Sequence, residues 1–325
     1  MNALLKRIEM IGAAVGRTPL VQITDSKLTL YAKLEYANPN GSTKDRSAYW
    51  ILRQAIERGE ITERTTVVES SSGNFATSLA AFCRSLGIRF VPVIDANCNA
   101  LTEAFLRSCC ERVEKITDPG ADGFLLRRLA RVAELRQEIA DVYWPNQYAN
   151  QDASDAHYRL TGGELSNSFS CIDYLFVGVG TGGTISGLSQ RIKKDFPGVT
   201  VVAVDVEGSA ALGGASGPRF IPGLGSSIVP PLVTTAVIDE VVQVSERETV
   251  RGCQELYADH GLFSGGSTGS VYAAIGRYFT EHPPPRGRRP TVVFLCADHG
   301  IPYAGTVYNP AWAERTLAPL AVAAV

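Results

Sequence analysis

The sequence has almost no excess charge, no paired-cysteine motif and no long apolar run. It carries 31 lysines and arginines against 33 aspartates and glutamates, a net charge of -2, which argues against a nucleic-acid or membrane partner. The seven cysteines form no C-x-x-C pair, which predicts reduced thiols in a cytoplasmic protein. The charged N-terminus predicts no signal peptide, and the lack of an apolar run of spanning length predicts no membrane span. The four histidines show no metal-ligand spacing, so we assign no metal site.

Strand and helix signals alternate along the chain, a pattern typical of α/β proteins with mostly parallel sheets. Apolar runs predict strands at 66–70, 90–95, 112–117, 173–179, 199–205 and 291–296. Helical periodicity predicts helices at 75–87, 101–110, 123–140 and 271–279. The length of 325 residues suits two domains. Because no linker divides the chain, we predict a small domain at 46–150 packed closely against a large domain of 1–45 and 151–325.

Four turns rich in glycine, serine or threonine follow strands or precede helices. In open α/β sheets, ligands bind at the carboxyl ends of strands, where helix N-termini offer free N–H groups. The turns are "NGSTKDR" (40–46), "SSSGNF" (70–75), "GVGTGGTISG" (178–187) and "FSGGSTGS" (263–270). We therefore look for the ligand site in these four turns.

The first turn places Lys44 in the first turn of a predicted helix. Ser42 and Asp45 have the spacing of a capping-box variant, and helical apolar spacing follows. The positive end of the helix dipole disfavours an ammonium, so Lys44 should lose its proton readily. A neutral lysine amine can attack a carbonyl and form a Schiff base. From this stretch alone, a solvated lysine beside Asp45 remains an alternative.

The other three turns offer groups suited to anions. The hydroxyls, glycine and amide of the second turn suit a carboxylate, although a serine-rich helix cap would have the same sequence. The glycines of the third turn allow the backbone to approach a phosphate closely, and Thr181 and Thr184 add hydroxyl donors. The fourth turn is either flexible or in contact with a flat ligand.

A dinucleotide site is the competing interpretation of the third turn. Gly178, Gly180 and Gly183 fit the G-x-G-x-x-G spacing, and Asp205 ends the next predicted strand. The fingerprint usually begins a domain, however, and here it lies in the middle of the chain. It also leaves the other three turns unexplained, so we favour phosphate binding.

In this order, the four turns resemble those of fold-type II pyridoxal-phosphate enzymes of the cysteine synthase and cystathionine β-synthase family. The stretches "VGRTPLVQI" (15–23) and "KLEYANPNGSTKDR" (33–46) fit the same family. The resemblance extends over nearly the whole chain. It implies a tryptophan synthase β-like fold of two three-layer α/β/α domains, a homodimer, and pyridoxal 5'-phosphate in the cleft between the domains.

The resemblance also implies a role for individual residues. Lys44 would hold the cofactor as a Schiff base, Asn74 would bond the 3'-oxygen of its ring, and Ser267 would face its pyridine nitrogen. The residues implied for its phosphate are Gly180, Thr181, Gly182, Gly183 and Thr184. The residues implied for the substrate α-carboxylate are Ser71, Ser72 and Gln147. A serine cannot fix a full positive charge on the pyridine nitrogen, which suits β-elimination better than transamination. Lys44, once displaced by substrate, is the natural base for the α-proton.

The sequence departs from ordinary cysteine synthases in three places. Phe75 replaces the threonine that usually follows "SGN", "NQYAN" (146–150) lacks the usual Asn-Pro, and "CADHGIPY" (296–303) replaces a Ser-Gly-Glu-Arg-Tyr turn. The stretches "YWPNQYAN", "FSGGSTGS" and "VYNPAWAE" instead resemble N-(2-amino-2-carboxyethyl)-L-glutamate synthases of siderophore and antibiotic pathways. This resemblance implies the small-molecule substrates O-phospho-L-serine and L-glutamate, on the way to 2,3-diaminopropionate.

Substrates with these charges need cationic or hydroxyl partners. We predict that Arg219, in "GPRFIPGLG" (217–225), binds the phosphate of O-phosphoserine and that Arg128 and Tyr148 bind glutamate. A surface position for Arg219 and a solvated helix face for Arg128 remain alternatives. Two other functions also stay open. One is a cysteine synthase or cystathionine β-synthase, which differs mainly in its nucleophile. The other is a non-catalytic relative that binds a partner peptide, against which the intact Lys44 argues.

Overall fold

Two mainly parallel sheets with flanking helices organise the chain. The computed structural model describes residues 3–121 and 123–317. The strands are β1 (Leu20–Ile23), β2 (Thr29–Leu34), β3 (Thr66–Ser70), β4 (Arg89–Asp95), β5 (Glu114–Ile116), β6 (Val142–Tyr143), β7 (Tyr174–Gly178), β8 (Thr200–Val206), β9 (Glu240–Val244) and β10 (Thr291–Cys296). The helices are α1 (Ala3–Ala14), α2 (Lys44–Glu57), α3 (Asn74–Leu86), α4 (Ala100–Cys109), α5 (Gly123–Glu138), α6 (Gln151–Ala156), α7 (Gly162–Ser168), α8 (Gly183–Asp195), α9 (Glu246–His260), α10 (Gly266–Glu281) and α11 (Pro310–Leu317).

The larger sheet has the strand order β1-β2-β10-β7-β8-β9, and the smaller has the order β5-β4-β3-β6. β1 and β2 pair antiparallel. All other neighbouring strands pair parallel. Parallel pairing gathers the carboxyl ends of the strands at one edge of each sheet. The predicted α/β fold class is confirmed.

The central strands are buried on both faces, as expected for parallel sheets covered by helices. All five residues of β3 and six of the seven residues of β4 are buried. On α2, the predicted apolar positions Ile51, Leu52, Ala55 and Ile56 are buried in the same core cluster as the apolar face of α3. This packing fixes α2, and with it the turn that contains Lys44, against the smaller sheet.

The strands of the smaller sheet lie between residues 66 and 143, and those of the larger sheet lie between 20–34 and 174–296. This arrangement supports the division into 46–150 and 1–45 plus 151–325, which stays a proposal. α2 packs against both α3 and α6. Residues 1–2, 122 and 318–325 of the proposed division lie outside the described residues.

Several elements differ from those predicted. α10 begins at Gly266, so most of "GGSTGS" forms its first turns and is not a loop before the helix. β9 was not predicted because, as an edge strand, it buries only Val244 and has a weak apolar pattern. The predicted strand at 112–117 shortens to the three residues of β5. These errors fall at element ends and sheet edges, where burial contributes least to the sequence pattern.

The cysteines form no disulfide, since all seven lie in the described ranges as free thiols. Cys253 is buried, and burial raises the pKa of its thiol to about 12. None of the helices within residues 3–121 and 123–317 is long and apolar enough to cross a bilayer. A cytoplasmic location stays a prediction.

Candidate active site

Two adjoining cavities lie where segments following β3, β4, β7 and β10 come together. The larger has a volume of about 340 Å³ and the smaller about 40 Å³. Of the predicted site residues, the larger cavity is lined by Lys44, Ser71, Ser72, Asn74, Arg128, Gln147, Tyr148, Gly180, Thr181 and Ser267. The smaller is lined by Lys44, Gly180, Thr181, Gly182, Thr184 and Ser267. Three of the predicted turns and the start of α10 therefore meet at one place.

Lys44 lies at the junction of the two cavities as the first residue of α2. Its Nζ makes no hydrogen bond or ion pair with a described residue. By contrast, Nζ of the buried Lys33 donates to the carbonyl of Thr18 at 2.5 Å and pairs with Glu164 at 2.6 Å. Burial lowers the pKa of Lys44, and the nearby Asp298 carboxylate partly opposes this. The lowered pKa increases the fraction of the nucleophilic neutral amine. Burial is thus the main cause, whereas the sequence argument relied on the helix dipole.

The predicted capping box of Ser42 and Asp45 does not form. The Oγ of Ser42 accepts from the backbone N of Lys44 at 3.2 Å, and Thr43 at the N-cap position makes no side-chain cap. Asp45 turns back to Asn40, accepting from its backbone N at 2.7 Å and its Nδ2 at 2.8 Å. This pairing holds the turn from which α2 begins.

A buried ionic cluster fixes α2 two residues beyond Lys44. Nε of Arg46 lies 2.6 Å from Oε2 of Glu35, and Nη1 lies 2.6 Å from Oε1 of Glu164. The side chains of Arg46 and Glu35 are fully buried. Because breaking a buried pair leaves an uncompensated charge, this cluster strongly constrains the position of Lys44.

The turn between β7 and α8 has the geometry of an anion cradle. α8 begins at Gly183, so the N–H groups of its first turn have no partner within the helix. Gly182 has a φ of +90°, and a Cβ there would lie 2.8 Å from the backbone N of Val233, a position that favours glycine. Thr181 and Thr184 line the smaller cavity beside it. This donor set fits the phosphate of pyridoxal phosphate. Gly183 lines neither cavity and can contribute only its backbone.

His157, which the sequence analysis left without a role, supports this cradle. It begins a π-helical turn between α6 and α7. Its Nε2 lies 3.3 Å from Oγ1 of Thr184 and 3.2 Å from Oγ of Ser47, and its Nδ1 lies 3.0 Å from Oγ1 of Thr161. Burial, together with nearby positive charges, holds the pKa of His157 well below its usual value. A neutral His157 thus links α8 to α2.

The serine turn after β3 uses several polar groups to fix its own shape. Oγ of Ser71 accepts from a backbone N–H of α3 at 3.2 Å, and Oγ of Ser72 accepts from the backbone N of Asp95 at 2.9 Å. Nε2 of Gln147 donates to the carbonyl of Ser70 at 3.1 Å. In these contacts both serines accept, so their O–H donors stay available to a carboxylate.

Arg128 faces the larger cavity, so the alternative of a solvated helix face is wrong. Its Nε lies 3.0 Å from Oδ2 of Asp95, and its Nη1 donates to Oγ of Ser72 at 3.2 Å. The side chains of Arg128 and Asp95 are only 12% and 7% exposed. Burial raises the pKa of the nearby Tyr148, and the Arg128 cation partly opposes this. The cavity therefore contains a fixed, nearly buried cation.

Arg219 lies outside both cavities, which corrects the prediction that it reaches the substrate. Its Nη1 donates to the carbonyl of Gly208, and its Nη2 donates to Oγ of Ser227 at 2.9 Å. The loop does reach the cavity through Pro222 and Gly223. The guanidinium is instead used to hold the loop together, and we no longer propose it as a substrate ligand.

The turn after β10 contributes a carboxylate that the sequence analysis did not assign. Oδ2 of Asp298 accepts from Nδ2 of Asn74 at 2.8 Å and from the hydroxyl of Tyr303 at 2.6 Å. Oδ1 is buried and has no hydrogen-bond partner among the described residues. Burial raises the pKa of Asp298, opposed by these two hydrogen bonds and by Lys44. The unusual "CADHGIPY" turn was the sequence signal for it.

Glu69 is a second buried carboxyl group, below the serine turn in β3. Its Oε1 accepts from the backbone N of Ser70 at 2.8 Å and from Nε1 of Trp144 at 3.3 Å. Burial raises its pKa from 4.5 to about 8. At neutral pH the folded protein therefore keeps Glu69 mostly protonated, whereas the unfolded chain does not.

We expect Glu69→Gln to flatten the pH dependence of stability. The raised pKa of Glu69 contributes stability that is complete below about pH 4.5 and is lost as the pH rises through about 8. The loss amounts to a few kcal/mol, at about 1.4 kcal/mol per pKa unit. Glutamine keeps the shape and cannot titrate. Urea unfolding at several pH values measures the free energy of unfolding of the wild type and the variant. Glu63→Gln, a substitution at an exposed position, is the control. Parallel curves for all three proteins would contradict the expectation.

The chain belongs to the family described as pyridoxal-phosphate dependent enzymes, whose model matches residues 11–298. It is similar to the O-acetylserine-dependent cystathionine β-synthase of Helicobacter pylori, with 27% identity, a TM-score of 0.83, and coverage of 92% of this chain and 98% of that chain. It is also similar to a hydrogen sulfide-producing enzyme of Fusobacterium nucleatum, with 29% identity, a TM-score of 0.83, and coverage of 90% and 98%. A third similar structure is that of O-ureido-L-serine synthase, with 28% identity, a TM-score of 0.83, and coverage of 91% of this chain and 93% of that chain.

The predicted fold-type II architecture and the predicted cofactor are therefore confirmed. The protein is a pyridoxal-phosphate-dependent enzyme, related in fold and sequence to a cystathionine β-synthase and to O-ureido-L-serine synthase. Because the family binds pyridoxal phosphate, Gly178, Gly180 and Gly183 are not interpreted as a dinucleotide site.

Proposed function

We propose that the protein joins O-phospho-L-serine to L-glutamate, giving N-(2-amino-2-carboxyethyl)-L-glutamate and phosphate for 2,3-diaminopropionate in siderophore or antibiotic biosynthesis. The observation that carries the proposal is the nearly buried Arg128, which lines the same cavity as Lys44 with Tyr148 nearby. A second amino acid brings carboxylates that need a cation in a desolvated site. Hydrosulfide brings none. The leaving group rests on the resemblance of residues 143–150 and 307–314 to the glutamate-using enzymes.

We assign the cofactor contacts on the same basis. Lys44 attaches the cofactor covalently, the turn Gly180–Thr184 binds its phosphate, Asn74 bonds the 3'-oxygen of its ring, and Ser267 faces its pyridine nitrogen. The bound cofactor supplies the electron sink that lets a substrate lose its β-substituent and accept a nucleophile at that carbon.

The protein's own groups then position the substrate and move its protons. The O–H groups of Ser71 and Ser72, with Gln147, hold the α-carboxylate. Nζ of Lys44 takes the α-proton, which its lowered pKa favours because the neutral amine is the basic form. Arg128 and Tyr148 bind the second amino acid. We also propose that the protein is a homodimer.

The second candidate is a cysteine synthase or cystathionine β-synthase. The similarity to the Helicobacter pylori enzyme, whose name specifies O-acetylserine dependence and cystathionine synthesis, favours it. It would use the same cofactor contacts and differ in the nucleophile. The two candidates therefore differ in one testable property, the nucleophile that the enzyme uses.

Product analysis of a competition decides between the candidates. The cofactor-loaded enzyme is given O-phosphoserine with equal concentrations of L-glutamate, hydrosulfide and L-homocysteine, and products are identified by mass spectrometry. We expect the secondary amine that links serine-derived carbon to glutamate to dominate. Glutarate, which has the two carboxylates but no amine, serves as the control. Cysteine or cystathionine without the glutamate adduct would establish the second candidate.

A further inference from the structure

Asp298, two residues after the end of β10, lines the larger cavity. The residue is only 3% exposed. Asn74 and Tyr303, which both donate to its Oδ2, also line this cavity. Gly265 makes room for the other oxygen, because a Cβ at that position would overlap Oδ1. The fold thus holds a fixed carboxylate beside Lys44.

An amine nucleophile needs a proton acceptor in the site, whereas hydrosulfide does not. An amino acid arrives mainly as an ammonium, which must lose a proton before its nitrogen can attack. Hydrosulfide already has a free electron pair. Lys44 is assigned to the α-proton of the first substrate, so an amine-using site gains from a second proton acceptor near the reacting carbon.

The other titratable groups of the larger cavity are poorly suited to that task. Asp95 is paired with Arg128 at 3.0 Å. Burial raises the pKa of Tyr148 and Tyr303, and both phenols therefore stay protonated. His157 lines neither cavity. Asp298 remains, and burial makes it a stronger base than an exposed carboxylate.

We propose that Asp298 is a catalytic base that accepts the proton of the incoming amine. The proposal rests on the amine-using function proposed above. One ammonium N–H bond breaks and its proton passes to the Asp298 carboxylate. The freed electron pair forms the N–Cβ bond that replaces the Cβ–O bond of the first substrate. The leaving phosphate has already departed with the electrons of the Cβ–O bond and takes a proton from solvent, and Asp298 returns its proton to solvent when the product leaves.

Asp298→Asn tests the proposal by comparing nucleophiles of different charge. Asparagine keeps the size of the side chain and an acceptor oxygen for Tyr303 but is not a base. Single-turnover phosphate release from O-phosphoserine alone reports what the substitution does through Asn74 and Lys44, and the changes with each nucleophile are taken relative to it. Glutamate adduct formation should fall by about 10²- to 10⁴-fold, the usual contribution of a general base. Hydrosulfide and 2,2,2-trifluoroethylamine, an amine that is uncharged at neutral pH, should react within about 3-fold of the wild type.

Two further measurements separate a base from a structural or cofactor-binding role. The affinity of the apoprotein for pyridoxal phosphate, measured by fluorescence titration, and the thermal midpoint of unfolding should be nearly unchanged in Asp298→Asn. Tyr303→Phe is the matched control, because it removes a bond to Oδ2 and keeps the carboxylate. It should change glutamate adduct formation far less than Asp298→Asn does, because the carboxylate is still present to accept a proton.

The outcomes distinguish this inference from the proposed function. A wild type that forms the glutamate adduct, with an Asp298→Asn variant that forms it equally fast, overturns the role of Asp298 alone. Equal losses for all nucleophiles, or weakened cofactor binding, show that Asp298 positions the cofactor or the first substrate, which also overturns it. A wild type that uses hydrosulfide and no charged amine overturns both proposals.

Discussion

The Lys44→Ala variant is expected to carry no covalently attached cofactor and to lose turnover by about 10³-fold or more, because it lacks both the attachment point and the base for the α-proton. Borohydride reduction of the cofactor-loaded wild type, followed by digestion and mass spectrometry, should place the cofactor mass on the peptide containing Lys44. The same treatment of the variant should give no modified peptide.

The environment of Lys44 predicts that this variant still folds. Nζ of Lys44 has no partner among the described residues, and its burial is costly for a charge, as its lowered pKa shows. The exposed Lys6→Ala is the control for general effects of losing a lysine. Lys33→Ala should behave differently, since it would leave Glu164 without one of its partners and reduce stability. Modification of another lysine in the wild type would refute the assignment of Lys44.

The sequence predicted the site best where topology leaves little choice. Turns that follow parallel strands meet at one edge of a sheet, so the stretches 40–46, 70–75 and 178–187 could be brought together from their positions after strands or before helices. Glycines such as Gly182 also have a local cause, a positive φ with no room for a Cβ. These features depend on backbone geometry, which short sequence patterns encode.

Side-chain direction was harder to predict. The loop 217–225 does reach the cavity, but Arg219 bonds the loop itself. Asp298 depends on pairing between distant segments, since residue 298 forms a bridge with Ser42 and the carbonyl of Ala297 accepts from the backbone N of Thr43. His157 depends on contacts with two other helices. No local pattern around these residues specifies such long-range contacts.

Arg128→Ala is expected to separate the two halves of the proposed reaction. Phosphate release from O-phosphoserine alone should fall much less than the glutamate reaction, because the contacts proposed for that substrate lie on Ser71, Ser72 and Gln147 and Arg128 reaches it only through Ser72. The specificity constant kcat/KM for glutamate should fall by about 10- to 100-fold, as loss of a charged hydrogen-bond partner costs a few kcal/mol. The kcat/KM of Arg128→Lys for glutamate should lie between those of the wild type and Arg128→Ala, because lysine keeps the charge but lacks the planar guanidinium group.

The neighbouring Asp95 determines how this loss must be interpreted. Without Arg128, the carboxylate of Asp95 is left unpaired and nearly buried, and it would repel the carboxylates of glutamate even if Arg128 never touched them. The double variant Asp95→Asn/Arg128→Ala removes that repulsion. If Arg128 binds glutamate directly, the double variant keeps most of the loss, whereas recovery to the level of Asp95→Asn alone would show that Arg128 only neutralises Asp95.

Arg127→Ala, a substitution at an exposed position on the same helix, is the matched control, and hydrosulfide is the matched nucleophile. Equal losses with hydrosulfide and glutamate would contradict a contact between Arg128 and the second amino acid.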